Sequence, residues 1–75
     1  MTRQQRDPQR HNYEIRVRGH LGPMMLRAFP ALAAQMRDGD TLLSGDLPDQ
    51  AALYGVLHQI EALGLELLEL RRLPG

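Results

Sequence analysis

Apolar and polar residues alternate without a break over residues 13–18. Tyr13, Ile15 and Val17 fall on one side; Glu14, Arg16 and Arg18 fall on the other. A period of two with β-branched residues marks a strand with one buried and one wet face. Gly19 ends the run, and the period changes after it. Residues 21–28 hold Met24, Met25, Leu26 and Ala28, all good helix formers, behind Pro23. Proline suits a first helical position, where its missing N–H would have no partner anyway. Phe29-Pro30 stops the run, because a residue before proline is pushed out of the α region. The predicted helix is therefore at most two turns long, with Leu26, Phe29 and one methionine turned to the core.

Residues 32–37 admit two readings. Leu32, Ala34 and Met36 alternate with Ala33, Gln35 and Arg37, as in a strand, while Ala33 and Ala34 favour an extension of the first helix. The next two residues, Asp38-Gly39, suit a type I′ turn, whose central positions both need φ > 0. Residues 41–47 continue as a strand, so the pattern is read as strand, turn, strand. Over residues 48–63, Leu53, Val56, Leu57, Ile60 and Leu63 recur at three- and four-residue spacing, which gives one apolar helical stripe. Pro48 fits the first position of that helix, and Asp49 lies near the positive end of its dipole. Gly64 sits where a left-handed C-terminal cap belongs. Residues 65–73 read as a last strand, ending before Pro74.

The order is thus βαββαβ. Each helix has one apolar stripe to bury, so both cover one face of the sheet. Two interlocked βαβ units give a ferredoxin-like α+β domain with a four-stranded antiparallel sheet in the order 4-1-3-2. With Ile15, Val17, Leu43 and Leu70 towards the helices, the opposite face carries Glu14, Arg16, Arg18, Leu42, Leu67, Glu69 and Arg71. The last strand has leucines at 65, 67, 68 and 70, more than one buried face can use. That surplus makes Leu42, Leu67, Glu69 and Arg71 the candidate interface, with a second copy of the chain or another protein as partner.

Size strengthens the case for a partner. A domain of 75 residues buries only roughly 60% of its unfolded surface. Small domains usually need a disulfide, a metal or a second subunit. The absence of cysteine excludes disulfides and thiolate metal sites, and association remains. No apolar run approaches the roughly 20 residues of a membrane span, and the polar N-terminus has no signal-peptide core. The expectation is a cytoplasmic protein with no membrane partner. Residues 1–12, with no aliphatic side chain after Met1, read as a disordered polar tail preceding a domain over residues 13–75. Arg3, Arg6 and Arg10 make only a weak basic arm. Tyr13, Phe29 and Tyr54 are the only aromatic residues, too few for the stacking platform by which such sheets bind RNA. Nucleic acid is not the expected partner.

Candidate chemistry is sparse. His11, His20 and His58 are read in tail, loop and helix, and none has a carboxylate or second histidine at ligand spacing, so no metal site is assigned. Ser44 is the only serine and has no base near it in sequence; no catalytic residue is assigned. Turn chemistry accounts for Asp38 and Asp40, and capping for Asp46 and Asp49. The loop with Gly19, His20 and Gly22 is the one candidate ligand site, because backbone N–H groups ahead of a helix can hold an anion. No cofactor is implied.

The stretch Ile15-Arg16-Val17-Arg18-Gly19-His20-Leu21-Gly22-Pro23-Met24-Met25-Leu26 resembles the strand, glycine loop and apolar helix start of ACT-type regulatory domains. Their loop reads Asp-x-Pro-Gly-x-Leu, whereas here Gly22 precedes Pro23. The resemblance implies side-by-side pairing and amino-acid binding at the interface, with Gly22 as the ligand-loop residue carried over. The stretches Asp40-Thr41-Leu42-Leu43-Ser44-Gly45, Asp49-Gln50-Ala51-Ala52-Leu53 and Leu63-Gly64-Leu65-Glu66-Leu67 also resemble small actinobacterial proteins of unknown function, which implies a compact fold and no activity. Three functions follow in order: a non-catalytic, homodimeric interaction or regulatory module; an ACT-like small-ligand sensor; and a small dimeric ferredoxin-like enzyme. Enzymatic activity stays open, weighed towards none.

Overall fold

The computed structural model describes residues 11–74. Six elements follow one another: β1 His11–Arg18, α1 Pro23–Leu26, β2 Ala33–Arg37, β3 Asp40–Leu47, α2 Gln50–Ala62 and β4 Leu67–Leu73. The strands form one sheet in the order β2-β3-β1-β4, and every neighbouring pair is antiparallel. The domain is ferredoxin-like, with the expected strand order. Segment 33–37 is a strand, which decides between its two readings. Residues 1–10, expected to form most of a tail, lie outside the described residues; His11 and Asn12 are the first residues of β1.

Local signals set the turns and caps. Asp38 and Gly39 have φ of 52° and 84°, the two positive values a type I′ turn requires. Arg37 and Asp40 pair directly across that turn. Helix α2 begins two residues later than expected, because Asp49 is its cap and accepts the Ala52 N–H at 2.8 Å. Pro48 therefore stands outside the helix. At the other end, Leu65 N–H donates to Ile60 C=O and Gly64 N–H to Glu61 C=O, with Gly64 at φ 73°. This is a Schellman cap, which satisfies two carbonyls that the helix would otherwise leave open. Strand β4 then starts at Leu67, two residues after the predicted start.

The core lies between the helices and one face of the sheet. Tyr13, Ile15 and Val17 from β1 meet Leu43 and Leu47 from β3, Leu21 and Phe29 from the first connection, and Leu53 and Ile60 from α2. Burying a side chain of this size contributes about 1.5–3 kcal/mol. Helix α1 is a single turn with Pro23 at its start and no buried residue, shorter than the two turns allowed. The chain from Phe29 to Leu32 does part of the covering instead. It crosses β3 so closely that a Cβ on Gly45 would lie 2.8 Å from the Ala31 carbonyl oxygen and 2.9 Å from Leu32 Cδ2.

The helical layer is narrower than the sheet. Among the strands, α2 lies closest to β3, towards the middle. On the β2 side, Ala34 and Met36 share the register positions of Leu43 and Thr41 but are exposed. On the β4 side, Leu70 stands opposite Ile15 yet takes no part in the core. Both edges of the sheet extend beyond their cover.

Candidate functional site

The loop singled out from sequence is tied to the start of β3. Thr41 is fully buried. Its Oγ1 donates to Gly19 C=O at 2.7 Å and accepts Leu21 N–H at 3.1 Å, and Met36 Sδ lies 3.2 Å from the same oxygen. Asp40 Oδ1 accepts Gly19 N–H at 3.2 Å, while its Oδ2 accepts Arg16 Nε–H at 3.0 Å. The Gly19 N–H bond, followed by Arg16, holds the Asp40 carboxyl below the ordinary carboxylate range. Gly19 takes φ 86°, which a side chain would strain. Gly22 caps the single turn without a side chain, and its carbonyl accepts Leu26 N–H at 3.1 Å. Gly19, His20 and Gly22 do share one loop, with His20 exposed. However, the Gly19 and Leu21 donors are already spent on Asp40 and Thr41. Those two N–H groups thus form a structural tie to β3.

The second candidate was the sheet face opposite the helices. Glu69 and Arg71 lie there, across from Arg16 and Glu14 of β1. Arg71 donates to Glu14 at 2.8 Å and stands 4.0 Å from Glu69; Glu14 and Glu69 both favour its charged form. Near the start of β4, Arg18 Nε and Glu66 Oε1 make a 2.7 Å ion pair at the surface. Exposed pairs of this kind contribute little stability, about 0–1 kcal/mol.

Of the two predicted interface leucines, Leu42 lies on the expected face and Leu67 does not. Leu42 is on the open face, paired with Arg16 on one side and Gln35 on the other. It is only 7% exposed. Arg16, its partner across the strands, reaches to Asp40 with its guanidinium. Leu42 therefore exposes little apolar surface in the single chain. Leu67 sits across from Val17, on the helix side, because the register shifts between Arg16 and Val17 and Leu68 is an extra residue. Strict alternation had put Leu67 on the other face.

Exposed apolar side chains stand singly at Met24, Met36, Tyr54 and Leu63 and gather as a group on β4. Leu67, Leu68 and Leu70 are 43%, 38% and 38% exposed. β4 is an edge strand, and among the described residues no strand lies beyond it. Exposed apolar edge strands are templates for pairing with another chain. Leu70 and Leu68 were not in the predicted interface, although the leucine surplus of residues 65–70 was the signal that could have included them. Among the described residues, no three His, Cys, Asp or Glu side chains gather as a metal site, and no helix is long and apolar enough to cross a membrane.

A family model described as a domain of unknown function, DUF8691, matches residues 12–71. That span runs from the second residue of β1 into β4 and takes in every element between. No curated protein matches the chain, and no solved structure does.

Proposed function

The chain belongs to the DUF8691 family of domains of unknown function, and from that premise we propose that it is a non-catalytic interaction or regulatory module that self-associates through the β4 edge. The carrying observation is the run of exposed leucines at 67, 68 and 70 on a strand with nothing paired to its outer side among the described residues. Burying that surface against a second copy supplies the apolar area that so small a domain lacks on its own. An ACT-like sensor gains no support from the Gly19–Gly22 loop, whose two tied N–H donors face inward to β3.

Sedimentation velocity from low to high micromolar concentration tests the reading. The expected result is a shift from monomer to dimer with rising concentration. Leu70→Lys places a charge at the centre of the edge and should weaken the dimer at least about tenfold. Met36→Lys, on the opposite edge, should leave it unchanged, and circular dichroism should show both variants folded. A wild-type chain that stays monomeric at high micromolar concentration would sink the proposal.

A further inference from the structure

The order of residues along β4 also fixes how two copies would meet. We infer that β4 pairs antiparallel with β4 of a second copy about a two-fold axis at Leu70, held in register by two reciprocal Glu69–Arg71 ion pairs. This rests on the β4 association proposed above and names its geometry.

A two-fold axis perpendicular to the sheet keeps helix side with helix side and open face with open face. Residues directly opposite in an antiparallel pair point to the same face. The axis must then pass through a residue of β4, and the choices can be compared. Centred on Glu69, the strands oppose two carboxylates. Centred on Arg71 or Arg72, they oppose two guanidinium groups. Like charges directly opposite are destabilising. At Leu68 the bulge interrupts the alternation. Only the Leu70 centre joins unlike charges, and it does so twice. Glu69 of each copy faces Arg71 of the other on the open face, and Leu70 meets Leu70 on the helix side. The flanks agree: Leu68 comes opposite Arg72, whose stem can cover it.

The monomer already prepares the charged part. Arg71 is held 2.8 Å from Glu14 on the neighbouring strand, and its Nε lies 4.0 Å from Glu69. In the dimer each Arg71 would stand between its own Glu14 and Glu69 of the second copy, forming a row of alternating charge across the joined sheets. Eight strands would then form one continuous antiparallel sheet with α2 of both copies on the same side.

Charge reversal and cross-linking test the register. Glu69→Arg and Arg71→Glu should each weaken self-association about tenfold, because each creates two like-charge contacts. An equimolar mixture of these two variants should associate as well as the wild type, since the introduced arginine of one faces the introduced glutamate of the other. The chain has no cysteine, so a single Leu70→Cys variant can bridge only to its own mate. The Cα separation of directly opposed residues, about 4.5–5.5 Å, suits a disulfide. Mild oxidation should cross-link Leu70→Cys, whereas Leu68→Cys and Arg72→Cys should stay largely uncoupled. If the wild type dimerises but the mixture gives no rescue, or coupling peaks at 68 or 72, the register is overturned while β4 association stands. If the wild type does not dimerise, both fall.

Discussion

The two flanks of the sheet solve the same problem by different means. On one flank, the connection from β3 to β4 is a 13-residue helix with a side-chain cap at its start and a glycine cap at its end. Its buried Leu53 and Ile60 are spaced seven residues apart along one stripe. On the other, the connection from β1 to β2 has one helical turn with nothing buried in it. It is held by Thr41 and Asp40 side chains bonded to Gly19 and Leu21, and by the glycine contact at residue 45. The edges differ as well. β2 is five residues long and shows Ala33, Ala34, Gln35, Met36 and Arg37; β4 is seven residues long and leucine-rich. Among the described residues both edges are bare, so exposure alone does not make an interface. The apolar, charge-matched edge is the one suited to a partner, and the short, polar-tipped one is blunted against it.

If the β1–β2 connection, the first flank along the chain, depends on a few buried polar bonds, one substitution should damage it severely. Thr41→Val keeps the shape but removes the hydroxyl. Leu21 N–H then loses its acceptor and Gly19 C=O its donor, both in or beside the core. An unsatisfied buried group costs about 1–3 kcal/mol. The expected loss is about 2–4 kcal/mol, measured by urea unfolding, with the midpoint lowered and the slope unchanged. A loss under about 1 kcal/mol would mean that the loop finds other partners and that the flank is held by its apolar contacts.

The second flank should respond more gently to loss of its polar tie. Asp49→Ala deletes the cap on Ala52 N–H, a change that typically costs about 1 kcal/mol. The apolar stripe and the Schellman cap remain to hold α2. Thr41→Val and Asp49→Ala in the same unfolding series therefore measure the contrast directly. Equal losses would erase the distinction between a pinned connection and a packed one.

That contrast also explains what was legible in the sequence. The second flank is written locally. The α2 stripe and Gly64 there, like the alternation of β1 and the Asp38-Gly39 turn outside that flank, each depend on residues within a few positions, and each stands where the pattern put it. The first flank depends on contacts that span the chain. Thr41 meets Gly19 and Leu21, and Gly45 meets Ala31 and Leu32, across sequence separations that no periodicity records. The face of Leu67 departs from strict alternation for a related reason. One extra residue at Leu68 changes the side on which every preceding residue points, and a bulge has no mark in a run of leucines. The leucine surplus in the last strand was readable because it is compositional. How it is disposed on the edge required the register.

The smallest expected effect concerns the charge at the tie itself. Asp40 accepts Gly19 N–H and Arg16 Nε–H, and its folded pKa is depressed. A depressed carboxyl contributes stability above its unfolded pKa of about 3.9, and that contribution is lost as pH falls through the lower folded value. Asp40→Asn keeps an oxygen for Gly19 N–H but gives up the charge facing Arg16. The variant should be slightly less stable than the wild type from neutral pH down to about pH 4–5, and the gap should close in stronger acid. A gap that stays constant down to low pH would assign the effect to amide packing. A closing gap would show that ionised Asp40 fastens the β1–α1 loop.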